Sequence, residues 1–181
     1  MGRGWYATRA LLVGIDLMIT LHPMTDQDFA WLLGDGPAPE GLTLGEGGIG
    51  PVEVTELMRG VTAIVATTTE RPVAWMIADR GAVVGMASFT KMEPDGRYEI
   101  GYGVAPAHKG RGVMTRALAA LLPILREDGH LGLTAGTSVD NPGSQRVLEK
   151  NGFIRTGTRE DPEDGALITW AVDLTKCGRP A

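Results

Sequence analysis

The stretch His108-Lys109-Gly110-Arg111-Gly112 is the part of this chain best suited to holding an anion. It lies between a strand-like run, residues 97–104, and a segment where Met114, Ala117, Leu118, Leu121 and Leu125 recur at helical spacing. No Ser, Thr, Asp or Asn stands where that helix must be capped; glycines and cations stand there instead. Glycines let a phosphate approach the backbone, and the free amides and dipole of a helix start favour negative charge. Lys109 and Arg111 add attraction, and the window 105–126 holds no Asp or Glu although the chain carries a formal net charge of −5. A pyrophosphate suits this turn; the bland alternative is a tight connection followed by a solvated basic helix face. Spacing excludes a Gly-Lys-Ser/Thr phosphate loop. The dinucleotide fingerprint fails as well, lacking its three glycines and its leading strand–helix–strand unit.

A second marked segment is Asn141-Pro142-Gly143-Ser144-Gln145-Arg146-Val147-Leu148-Glu149-Lys150-Asn151-Gly152-Phe153. Asn141 is a good N-cap, Pro142 suits the first helical position and Gly152 closes the C-terminus. Taken with Glu99-Ile100-Gly101-Tyr102, Val104-Ala105-Pro106 and Lys109-Gly110-Arg111-Gly112-Val113-Met114, it resembles the GNAT acetyltransferase superfamily. The family's Gln/Arg-x-x-Gly-x-Gly/Ala turn has Lys109 in its first place and Gly112 as a match. Met114 replaces the usual small residue, and its bulk either crowds the pyrophosphate or turns into the core. The later segment is similar to the Asn-x-x-Ser-x-x-Val-x-Glu-Lys-x-Gly-Phe of the ribosomal-protein N-terminal acetyltransferase branch. The resemblance covers residues 18–174, with its specific part in 98–153.

The resemblance implies an α/β fold: a mixed, largely antiparallel central sheet with flanking helices and splayed central strands. It implies acetyl-CoA as co-substrate, held by Lys109, Gly110, Arg111, Gly112, Val113 and Met114. The backbone of Tyr102 and Val104 would pair with the pantetheine arm, and an amide near Val104 would polarise the carbonyl. Asn141 would reach the arm from the other side, or serve as a cap, or both. Acyl transfer to an amine needs a neutral nucleophile, and Glu99 is the expected base, directly or through water. Where many relatives carry a Tyr to protonate the leaving thiolate, this chain has Leu148. Ser144 is the expected substitute on branch resemblance, with Tyr102 a further donor. Both reactants would be held in one ternary complex.

The elements that must position these groups alternate along the chain. Strand-like runs are expected at 18–21, 73–79, 82–91, 97–104, 131–137, 153–158 and 166–174, and helices at 25–33, 52–66, 113–122 and 142–150. Turns at Arg80-Gly81 and Asp95-Gly96 imply hairpins, and the order implies a mixed sheet with helices. Residues 34–51, dense in Gly and Pro, form a long loop, read as a substrate-side lid or a disordered insertion. Glu160-Asp161-Pro162-Glu163-Asp164 could attract a cationic amine or simply be a solvated tip.

With 181 residues and 43% apolar content, one domain with a sizeable core is expected. It occupies 18–174, after an extension at 1–17 whose short apolar run is not a signal peptide, and before a tail at 175–181. The single cysteine, Cys177, excludes an intramolecular disulfide, and His22, His108 and His130 have no ligand spacing, so no metal is expected. A reducing cytoplasm is the expected compartment, with no membrane span and no nucleic acid partner. The acceptor is expected to be a primary amine: a protein N-terminus, on branch resemblance, or a small metabolite or antibiotic amine. A non-catalytic acyl-CoA sensor on the same fold is the chief rival. Homodimerisation is open, with the strand at 166–174 as the candidate for pairing across the dimer.

Overall fold

The computed structural model describes residues 19–175. The expectations that fall on 1–17, Met18 and Cys177 lie outside them. In chain order the strands are β1 (Ile19–Pro23), β2 (Thr43–Leu44), β3 (Ala74–Asp79), β4 (Ala82–Met92), β5 (Tyr98–Val104), β6 (Gly132–Ser138), β7 (Ile154–Asp161) and β8 (Gly165–Asp173). The helices are α1 (Asp26–Leu32), α2 (Val52–Val65), α3 (Val113–Glu127) and α4 (Pro142–Lys150). The sheet order is β1-β3-β4-β5-β6-β8-β7, with β2 added to β4. All neighbours are antiparallel except β2–β4 and β5–β6.

Strand β3 shows why the sheet needs helices on both faces. Trp75 and Ile77 point into the larger core, with Phe89, Leu118, Leu121, Leu125 and Leu133. Ala74, Met76 and Ala78 point into a smaller core with Met24, Phe29, Leu42 and Met86. Leu121 is fully buried, so Leu121→Ala should lower unfolding free energy by about 2–5 kcal/mol, by lost transfer energy plus a cavity. Urea titration checks this; a loss under half that range would mean the site collapses around the missing side chain.

Helix α1 opens as its residues require. The Asp28 carboxylate accepts from the Thr25 amide at 2.6 Å and the Thr25 hydroxyl at 2.7 Å. Two expectations need correction. Helix α3 does not stop at Leu122 but passes through Pro123 to Glu127. An interior proline costs about 3 kcal/mol, and full burial of a leucine returns about 1.5–3 kcal/mol. Leu122 and Leu125, both buried, together offset it. The second correction concerns the strand expected to pair across a dimer. Its counterpart β8 is hydrogen-bonded on both sides, to β6 and β7, so its backbone has no edge to offer a partner.

The long loop is partly built. Leu42 is buried, β2 joins the sheet beside Ala82 and Val83, and Ile49–Pro51 end against the cavity described next. No helix among the described residues is long and apolar enough to cross a membrane.

Candidate active site

A cleft opens where β5 leaves β6. Strand β5 pairs with β4 from Tyr98 to Val104, and β6 pairs with β8 along its whole length. Between β5 and β6 only Tyr98↔Leu133 and Glu99↔Thr134 are joined. A β-bulge stands at the same place: the β4–β5 register slips between Phe89 and Lys91, leaving Thr90 as an extra residue opposite Glu99. Such a bulge bends the strand that carries it and raises its twist. Beyond Glu99, no strand among the described residues pairs with the β6-facing edge of β5, as the expected splay requires.

The cavity along this edge measures about 810 Å³. At one end lies the glycine turn. Gly110 (φ +74°) and Gly112 (φ +72°) both adopt the left-handed conformation that favours glycine. The first bond of α3 runs from the Arg116 amide to the Gly112 carbonyl at 3.1 Å, so the amides ahead of it have no intrahelical acceptor. Val113 and Met114 turn inward, 1% and 6% exposed, so the bulk of Met114 goes into the core rather than across the turn. Lys109, Gly110, Gly112, Val113, Met114, Tyr102, Val104, Asn141 and Ser144 all line the cavity; Arg111 is exposed beside it, its carbonyl accepting from Arg116 at 3.3 Å. Sequence reasoning missed Arg146 and Lys150, which also line it. Their four-residue spacing on α4 is the signal that could have found them. With Lys109 they form a cationic rim suited to phosphates.

Across the cleft, Asn141 caps α4 by accepting from the Ser144 amide at 3.0 Å. The Ser144 hydroxyl donates to Tyr102 Oη at 2.9 Å, and that hydroxyl in turn donates to the Ser144 carbonyl at 3.2 Å. Burial pushes the Tyr102 phenol up to about 12, with the Ser144 hydrogen bond pulling against it. It is therefore a protonated donor at any working pH. Leu148, where the resemblance implied a Tyr, is fully buried in the core. The pair Tyr102 and Ser144 instead brings two hydroxyls to the cleft, one from β5 and one from α4.

Glu99 is held in an ion-pair network. Its carboxylate is gripped by Arg159 through two hydrogen bonds, 2.8 and 3.0 Å, and by Lys91 at 3.3 Å. Burial pushes its carboxyl up, but these two cations outweigh burial and hold it below the ordinary glutamate value. It is not among the residues lining the cavity. A carboxylate so paired is a poor acceptor for an ammonium proton, which counts against the expected role of Glu99 as base.

The far wall of the cavity is made by Ile49, Val54, Met58 and Met86, with Thr55, Ser88 and Thr90 as its polar groups. No Asp or Glu lines any part of the cavity among the described residues. The acidic tip does not enter it either: Asp161 accepts from the amides of Glu163 and Asp164 at 3.0 and 3.2 Å and shapes its own turn. Among the described residues, no group of three or more His, Cys, Asp or Glu could hold a metal ion.

Residues 18–154 match the Acetyltransferase (GNAT) domain. Ribosomal-protein-serine acetyltransferase of Escherichia coli (strain K12) is 35% identical over 91 residues, covering 49% of this chain and 51% of that protein. The match therefore spans about half the length of that relative. Among solved structures, apo RimL, a ribosomal L7/L12 alpha-N-protein acetyltransferase, has a TM-score of 0.65 at 17% identity, covering 90% of this chain and 97% of that one. RimL in complex with coenzyme A gives 0.62 at 19% identity, covering 89% and 97%. The Microcin C7 self immunity acetyltransferase, with acetyl-CoA and AMP, gives 0.62 at 16% identity, covering 87% and 93%. At these identities the structures speak for the fold. The domain match, running over well more than half the chain and agreeing with the splayed sheet and glycine turn, places this protein in the GNAT acetyltransferase family.

Proposed function

We propose that this chain is an acetyl-CoA-dependent N-acetyltransferase whose acceptor is an α-amine, a protein or peptide N-terminus, and that it works in the cytoplasm. The observation that carries the reading is the cavity itself: an unpaired β5 edge leads from an uncharged wall to a turn of free amides rimmed by cations. Acetyl-CoA fits this donor set. The Gly112, Val113 and Met114 amides with Lys109, Arg146 and Lys150 would hold its phosphates, and the backbone of Tyr102 and Val104 its extended arm. What it supplies is an acetyl group activated as a thioester.

The rest falls to the chain's own groups. Acetylation needs the amine neutral, and no carboxylate of this cavity can take its proton. That favours an amine with a low pKa. At pH 7.5 about a third of α-amines are already neutral, against about one lysine side chain in a thousand. An α-amine can enter without a base, losing its proton to water, and the apolar wall of Val54, Met58 and Met86 disfavours its charged form. Tyr102 and Ser144 bring two hydroxyls to the cleft for the departing sulfur; the Tyr102 O–H, which here donates to the Ser144 carbonyl, would turn from that carbonyl to reach it.

Calorimetric titration with acetyl-CoA, followed by thiol release over matched peptides, tests this. One peptide set carries a free N-terminus and a blocked lysine; the other has the reverse. Micromolar binding and release on free N-termini support the reading. Release on lysine or on small polyamines alone would move the acceptor class. Binding without release on any amine would favour the sensor, and no binding would overturn the coenzyme site.

A further inference from the structure

Arg159 lies on β7, at the far edge of the sheet from β5, yet its guanidinium makes two hydrogen bonds to Glu99. In a flat sheet, β7 and β5 would stand three strand spacings apart, about 14 Å, beyond the reach of the two side chains. The contact therefore needs the twist that sheets carry, and Gly136 of β6 leaves room for the guanidinium. A Cβ on Gly136 would come within 3.3 Å of Arg159 Nη2. Glu99 is also the last β5 residue paired with β6, and the Thr90 bulge lies opposite it. Lys91, on the bulged strand, reaches Glu99 at 3.3 Å and Glu93 at 3.1 Å, and Glu93 in turn accepts weakly from Thr134 of β6 at 3.5 Å. Charges from β4, β5 and β7 thus meet over the point where the cleft begins.

We propose that Arg159, through Glu99, is a positioning residue that fixes where β5 and β6 part and so sets the width of the coenzyme cleft. The proposal rests on reading that cleft as the coenzyme site. Two properties of the contact support a positioning role over an ordinary surface pair. The fork-on-carboxylate geometry fixes direction as well as distance, which a lysine cannot do. Glu99 is also well shielded, its side chain 14% exposed, so the pair is weakly screened. Its loss would let β5 and β6 either zip further or drift apart, and both change the edge on which the extended arm must lie.

Arg159→Met and Glu99→Gln are each expected to weaken coenzyme A binding about tenfold by calorimetry, and the double variant no more than the worse single one. The KM for acetyl-CoA should rise in proportion while kcat falls less, and Arg159→Lys should recover only part of the affinity. In the free protein, hydrogen exchange of amides in β5 and β6 should rise in each variant. If Arg159→Met does not fold, the isosteric Glu99→Gln carries the test. Unchanged affinity and exchange in folded variants would overturn the strap and leave the coenzyme site standing. Additive losses would also overturn it, as would a fall in kcat alone in Glu99→Gln, which would restore Glu99 as a base. A wild-type protein that binds no coenzyme A would sink the site reading instead, and exchange would then decide the strap by itself.

Discussion

Gly112→Glu should abolish measurable coenzyme A binding in a protein that still folds. Two effects compete to explain such a loss, and their magnitudes separate them. Gly112 has φ +72°, so any side chain there costs about 1–2 kcal/mol of backbone strain. Space is not the obstacle: the nearest atom to an added Cβ is Arg116 Nη1 at 3.5 Å. The carboxylate, by contrast, would sit among the free amides at the start of α3, take the hydrogen bonds meant for phosphate and repel it. Like charges brought together cost several kcal/mol, which is a loss of more than about a hundredfold in affinity. Gly112→Ala carries the strain without the charge; that strain is present with and without coenzyme, so it should lower the melting temperature and leave the affinity nearly unchanged. Calorimetry on both variants, with a thermal melt to confirm folding, reads the difference. If the glutamate variant binds as the alanine variant does, phosphate does not sit at this turn.

How much of this was legible before the fold was known depends on how far apart the partners lie. The glycine turn is local: two left-handed glycines and an uncapped helix start are consecutive in sequence and need no tertiary contact to be recognised. The Asn141 cap on Ser144 is local too, three residues apart. The ion pair of Glu99 was not legible because its partner Arg159 lies sixty residues away, in a contact that no residue pattern announces. The expected end of α3 falls five residues early, although Leu125, already on the apolar face by its spacing, continues the helix through Pro123 and is fully buried. Likewise β8 looks like any alternating strand, and only the topology shows that both of its edges are used.

The absence of a carboxylate from the cavity lining changes where catalytic power must come from. With no carboxylate in the lining and His108 the one imidazole there among the described residues, the rate should follow the neutral fraction of the amine, and the chain contributes by binding, desolvation and donors aimed at developing charge. Tyr102→Phe tests the donor part and should lower kcat about a hundredfold with little change in KM. The reason lies in the balance of acidities. A phenol raised to about 12 is a much weaker acid than a thiol, whose ordinary value is near 8.5, so full proton transfer to sulfur would be uphill by roughly 5 kcal/mol. Tyr102 therefore serves as a hydrogen-bond donor rather than as an acid that gives its proton away, and the sulfur takes its proton later from solvent. Two consequences can be measured. The kcat–pH profile of the wild-type chain should show no descending limb below about pH 10, because Tyr102 stays protonated there. Ser144→Ala should cost less than Tyr102→Phe, because Ser144 acts in part by donating to Tyr102 Oη and orienting it. An alkaline limb near pH 8 that disappears in Tyr102→Phe would mean that the phenol does ionise in the working range, and Tyr102 would then be a true acid. A Tyr102→Phe variant with wild-type kcat would remove the Tyr102 hydroxyl's claim on the sulfur and leave Ser144, whose hydroxyl it frees, as the donor.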